Sequence, residues 1–194
     1  SEIAHTVANA LHLVLTVEEE KRLAVVPTEI LEAYESYLLG KHLFAERTVK
    51  AFEQAIPHFE RAVTLDSDYG RAYAALASVY YVGHRRNWRK SFQVLPNFPK
   101  YPDDEAAFIS RAFENLDKSL RTPNPLAYVL KSETLLHKPD HNESMIAAER
   151  AIALDPNYAE AHLMLARTVI ARGDLSQIPL AQASLEQIVA MDPL

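Results

Sequence analysis

The sequence of 194 residues contains no cysteine, only four glycines and a single tryptophan. Each shortage closes a set of possibilities. Without thiols there is no disulfide framework, no thiolate zinc site and no cysteine nucleophile, while either redox compartment stays compatible with the chain. Four glycines are few for an all-β protein or a dinucleotide-binding fold, whose turns and phosphate loops need positive φ or close backbone approach. Positive charge is also short: the formal net charge is −6, and neutralising a phosphate backbone needs a basic face, so no nucleic-acid binding by this segment is expected. No run of about 18 apolar residues is present to span a bilayer. The N-terminus lacks the basic start and apolar core of a secretory signal. No membrane insertion by this segment is therefore expected, and any address or anchor is expected to lie outside it. A cytoplasmic setting is the expectation, periplasmic if the segment belongs to the outer part of a membrane protein.

What the sequence does have is 48% hydrophobic residues with 24% charged, the balance of a folded chain rather than a disordered one. It also repeats itself. Arg150-Ala-Ile-Ala-Leu-Asp-Pro-Asn-Tyr-Ala-Glu-Ala-His-Leu-Met-Leu-Ala166 matches Arg61-Ala-Val-Thr-Leu-Asp-Ser-Asp-Tyr-Gly-Arg-Ala-Tyr-Ala-Ala-Leu-Ala77 at eight of seventeen positions. The reused unit is the end of one helix, a tight turn and the start of the next, which makes the chain a helical repeat array.

Taken in order, Ile3, Val7, Leu11 and Val14 fall at helical spacing, and Thr16-Val-Glu-Glu19 has the form of a capping box opening a short helix to about Ala24. Pro27-Thr28 breaks it and caps the next. Four helix pairs follow. The first joins a helix from Glu29 to about Glu46, with Ser36, Leu39, Gly40 and Leu43, to one near Val49 with Ala55, Phe59 and Ala62; Pro57 predicts a kink there or a start nearer Ala55. The second carries Tyr73, Leu76, Ala77 and Tyr80, then Ala112, Leu116 and Ser119 between Asp104 and Arg121. Residues 83–103 between them, with Pro96, Pro99 and Pro102, form an insertion far longer than a usual helix-pair turn. The third has Tyr128, Ser132 and Leu135, then Ser144, Ala148 and Ala151; the fourth has His162, Leu165, Ala166 and Val169, then a helix from Pro179 with Ala181, Leu185 and Ile188. Residues 1–28 thus read as an N-terminal helical segment and 29–194 as the array.

These residues resemble the tetratricopeptide repeat (TPR) family over about Leu31 to Pro193, and Tyr128 to His162 spans the family's 34-residue period. Departures are Ser67 at the terminal proline, Lys131 at an expected leucine, no tryptophan at an aromatic position, and the insertion. The resemblance implies an all-α, right-handed superhelix of antiparallel helix pairs. Leu15 to Leu23, Pro27-Thr28 and Ala33 to Gly40 further resemble the junction where TPR arrays begin in multidomain bacterial signalling proteins. Those include class III adenylate or guanylate cyclases and winged-helix regulators, in which a TolB-like region precedes the repeats. That likeness implies a regulatory fragment with the catalytic or DNA-binding part elsewhere, and the ending at Met191-Asp192-Pro193-Leu194 agrees with a truncated array.

TPR arrays bind partners on the face of the first helices, which implies a strip of Tyr34, Tyr37, Lys41 and Phe44, then Arg71, Ser78 and Tyr81, then Leu126, Val129, Glu133 and Leu136, then Glu160, Leu163 and Arg167. Aromatics and isolated charges suit a peptide or a partner helix. A carboxylate clamp is not expected, because the asparagines of that set are missing. His84 to Lys90 groups cations around Trp88, read either as an anionic contact or as a loop pinned to the array by its tryptophan. His137 and His141 stand four apart, but Pro139 between them removes the helical meaning of that spacing, and no metal is expected. His162 sits at a repeat's aromatic position and reads as a packed core histidine. No phosphate loop, metal-ligand helix or nucleophile elbow is present, so neither catalysis nor a cofactor is expected. The expectation is a noncatalytic protein-interaction scaffold, with a structural or self-associating module as the alternative.

Overall fold

The computed structural model describes residues 28–85 and 105–191. The expected helices over 3–15 and 17–24, the Thr16 capping box and the loop around Trp88 lie outside the described residues. Within them the chain forms α1 (Leu31–Ala45), α2 (Val49–Leu65), α3 (Gly70–Arg85), α4 (Glu105–Leu120), α5 (Pro125–Leu135), α6 (Asn142–Leu154), α7 (Ala159–Arg172), a 3₁₀ turn (Leu175–Gln177) and α8 (Ile178–Met191). Each odd-numbered helix packs on the even-numbered one after it, each even-numbered helix packs on the next odd one, and the odd helices touch in succession. The architecture is an all-α array of helix pairs in which, among the described residues, each pair packs chiefly on its neighbours.

Local chemistry sets the boundaries. The side chains of Thr48 and Asn124 accept the N–H groups of Ala51 and Ala127 at 3.1 and 2.9 Å, opening α2 and α5, and Pro125 occupies the first turn of α5. The duplicated turn is duplicated in its bonding as well. Asp66 and Asp155 each accept the N–H two residues on, at 2.9 and 3.1 Å, and each passes its carbonyl to the N–H of a tyrosine, Tyr69 or Tyr158. Gly173 ends α7 with φ +67°, in the left-handed region that a Cβ disfavours. Pro179 falls in the first turn of α8, where its missing N–H costs nothing.

One alternative, the start nearer Ala55, falls, and one expectation changes. The second helix starts at Val49 and runs through Pro57 to Leu65. It tolerates the proline because the Thr48 cap and the buried Ala51, Phe52 and Ile56 secure the turns before it. Thr28 does not cap α1: its hydroxyl accepts the Ile30 N–H at 3.1 Å, and Ile30 stands at the helix entrance without a side-chain cap.

The repeat register decides the core. The small residue at one repeat position of the first helices, Gly40, Ala77, Ser132 and Ala166, is buried, as is that at one repeat position of the second helices, Ala55, Ala112, Ser144 and Ala181. Small side chains at both places let the paired helices approach closely. At Gly40 the approach is limiting: a Cβ there would lie 2.6 Å from Phe59, which is itself fully buried. The apolar interior divides into two clusters. One runs from Ala33 in α1 to Leu130 in α5, the other from Val129 in α5 to Ala181 in α8. The second contains a hydroxyl chain in which Ser132, Ser144 and Thr168, all fully buried, link α5, α6 and α7 at 3.0 Å per step.

Candidate functional site

The first helices bring residues distant in sequence to one cavity of about 340 Å³. Its walls include Tyr37, Lys41 and Phe44 of α1, Arg71 and Ser78 of α3, Leu126 of α5, and Tyr158 and Glu160 at the start of α7. Helices α1 and α7 are separated by α3 and α5 in the layer, so a cavity they share requires the layer to curl.

The cavity has an aromatic floor. Tyr37 rests on Phe59 and Tyr69, with ring centroids 6.0 and 5.2 Å away, and Phe44 packs on Phe52 at 4.5 Å. Burial pushes the Tyr37 phenol above its ordinary value, and the nearby Arg71 charge opposes only part of that rise. Tyr158 is raised too, first by burial and then by the Glu160 carboxylate and Tyr37, with Arg71 again opposing. Both phenols are therefore neutral donors at physiological pH.

Charge is distributed unevenly along the layer. Toward the ends of α3, α5 and α7, the Glu133 carboxylate lies between Arg85, to which it is hydrogen-bonded, and Arg167 at 3.6 Å, while the Tyr81 hydroxyl donates to the Glu133 carbonyl at 3.4 Å. Two guanidinium groups share one carboxylate here. At the cavity, Lys41, Arg47 and Arg71 line it from α1, the following turn and α3, with the Lys41 ammonium 5.9 Å over the Tyr37 ring, while Asp155 lines it from the α6–α7 turn and Glu160 from the first turn of α7. Arg47 holds φ +55°, a conformation that costs a non-glycine residue about 1 kcal/mol.

Of the strip expected from sequence, Tyr37, Lys41, Phe44, Arg71, Ser78, Leu126 and Glu160 meet at the cavity. Tyr81, Glu133 and Arg167 meet in the ion cluster beyond it. Val129 is packed in the second core cluster with Leu136 against it, Tyr34 lies on the exposed side of α1, and Leu163 is exposed on α7. Tyr158, Asp155 and Arg47 were missed. The signal for the first two was present, because Asp155 and Tyr158 are the repeat counterparts of Asp66 and Tyr69 in the duplicated turn.

Elsewhere the candidates are inert. A wider hollow of about 570 Å³ between α5 and α6 is open and brings no set of polar groups to a point. The Nε2–H of His162 donates to the Pro156 carbonyl at 2.8 Å and the ring is packed in the interior, a structural role. His137 and His141 lie in the α5–α6 turn, and no group of three or more potential ligands gathers among the described residues. No helix among them is long and apolar enough to cross a membrane.

No family model matches the chain. The chain is 24% identical over 131 residues, 68% of its length, to the DnaJ homolog subfamily C member 7 homolog of Dictyostelium discoideum, and the match spans 23% of that protein. This similarity, the paired-helix array and the duplicated turn are consistent with a TPR-like helical repeat.

Proposed function

We propose that this chain is a noncatalytic protein-interaction scaffold that receives a peptide-like segment of a partner in the cavity of its first-helix layer. The observation that carries the reading is the cavity itself: helices from all four pairs line it, its floor is aromatic, and its ionic side chains are left open to an occupant. Apolar anchoring with a few oriented charges is how grooves of this kind hold extended peptides. The right-handed superhelix implied by the family resemblance is part of the same proposal. So is a place in the cytoplasm within a larger bacterial signalling protein such as a nucleotide cyclase, supported by the likeness of Leu15 to Gly40 to the junctions of those proteins.

Selection of random peptides displayed on phage tests it. The expected result is peptides that bind saturably, lose at least roughly fivefold in affinity on Arg71→Glu, and ignore Glu149→Lys at the outer hollow. Peptides indifferent to Arg71→Glu, or none selected, would refute the reading.

The alternative, a structural or self-associating module, is favoured by one feature. The last helix exposes Leu185 and Val189, four residues apart on one face, with no partner among the described residues. Concentration-dependent sedimentation abolished by Leu185→Glu and Val189→Glu, with peptide binding absent, would favour it.

A further inference from the structure

With the cavity taken as the docking surface proposed above, the chemistry of its occupant follows from charges that have no partner of opposite charge among the described residues, although Lys41 lies over the Tyr37 ring. Farther along the layer, Arg85 and Arg167 share the Glu133 carboxylate. At the cavity, opposite charges line a single space and still do not pair. Among the described residues, none of Lys41, Arg47 and Arg71 has a carboxylate oxygen within 4.0 Å. Asp155 accepts the Asn157 N–H of its own turn, and Glu160 is exposed.

The two signs are held apart by apolar wall. The cations belong to α1, the α1–α2 turn and α3, the carboxylates to the α6–α7 turn and the first turn of α7, and Tyr37, Phe44, Leu126 and Tyr158 are among the rest of the lining. A simple anion bound there would satisfy the first side and face like charges on the second, and a simple cation would do the reverse. A volume of about 340 Å³ is at the small end for a site that encloses a ligand, enough for one bulky side chain and its flanking groups.

We propose that the cavity accepts a dipolar peptide segment: an acidic residue at the α1–α3 side, a basic residue at the α7 side, and a bulky apolar side chain between them on the aromatic floor. Three cations against two carboxylates make the acidic contact the stronger anchor.

Calorimetric titration with four acetylated and amidated peptides tests this: Glu-Gly-Phe-Gly-Lys, Glu-Gly-Phe-Gly-Glu, Lys-Gly-Phe-Gly-Lys and Gln-Gly-Phe-Gly-Gln. The dipolar peptide is expected to bind tightest, roughly fivefold or more above the neutral one. Arg71→Glu is expected to shrink the advantage of the dipolar peptide over the doubly basic one, and Glu160→Lys its advantage over the doubly acidic one, each by roughly fivefold or more. Glu160 is exposed and Arg71 half-buried, so both variants are expected to keep the wild-type circular dichroism, and Glu160→Lys alone still decides the matter if Arg71→Glu does not fold. Equal binding of all four peptides, or a wild-type preference for a singly signed one, overturns the charge arrangement while leaving the cavity as a docking surface. No binding by any of them, with no phage peptide selected, overturns both. Dimers that the dipolar peptide disperses would identify a second copy as the resident occupant and also overturn it.

Discussion

At the residue scale the tightest constraint is Gly40. A methyl group added there would meet the Phe59 ring at 2.6 Å, and Phe59 has Tyr37 on another side and no exposed edge to retreat to. Gly40→Ala is expected to destabilise the fold by about 1–3 kcal/mol through overpacking, despite alanine's better helix propensity. A urea titration checks this, with the double variant Gly40→Ala, Phe59→Leu recovering part of the loss. The small residue was legible because it stands one step after Leu39, at the place where Ala77 follows Leu76. Tyr158 was less legible: its counterpart Tyr69 is fully buried under Tyr37, so the shared turn motif marks a position and not an environment. One tyrosine packs in the core and the other lines the cavity because they open different pairs of a curled layer.

At the scale of the helix, register was read more securely than boundaries. Apolar and small residues recur at fixed offsets in every pair, whereas the ends depend on caps that the repeat pattern does not encode. Pro57 illustrates the difference. Proline costs a helix interior about 3 kcal/mol when nothing compensates, yet the buried first turns of α2 carry the helix past it. The pairs are also joined in unlike ways. Where the first pair sets Gly40 against Phe59, the third places Ser132 beside Ser144, each hydroxyl donating to the other's carbonyl at 2.8 and 2.9 Å, and Thr168 extends the chain to α7. Ser132→Ala and Ser144→Ala are each expected to cost about 1 kcal/mol. Combined, they are expected to cost the sum to within about 0.5 kcal/mol, since each hydroxyl's acceptor is a backbone carbonyl that survives the other's substitution, and either adds independently to Gly40→Ala. Denaturation of the single and double variants measures both statements.

At the scale of the whole molecule, five tyrosines share one property. Burial raises the phenols of Tyr37, Tyr69, Tyr80, Tyr81 and Tyr158 above their ordinary range, so the folded chain holds protons that the unfolded chain gives up near about pH 10. Below that pH both states keep them and the effect on stability is nil; above it, stability falls steadily as pH rises. Thermal melts from neutral pH to about pH 11 are expected to show this loss, with tyrosinate absorbance from the buried rings appearing together with unfolding. The array was predictable as a whole, because repeats declare themselves in sequence. The cavity was not, since its far wall depends on how strongly the layer curls, and no spacing along the chain reports curvature.

The division of the interior has a mechanical meaning. Leu130 belongs to the first cluster and Val129, its neighbour on α5, to the second. Under tension applied to its two ends, the protein is a pair of blocks hung on one shared beam, and a block can be peeled off while α5 still braces the other. A cavity whose opposing charges sit on α1–α3 and on α7 spans that beam, so an occupant gripping both would act as a strap across the joint, raising the load at which the blocks part.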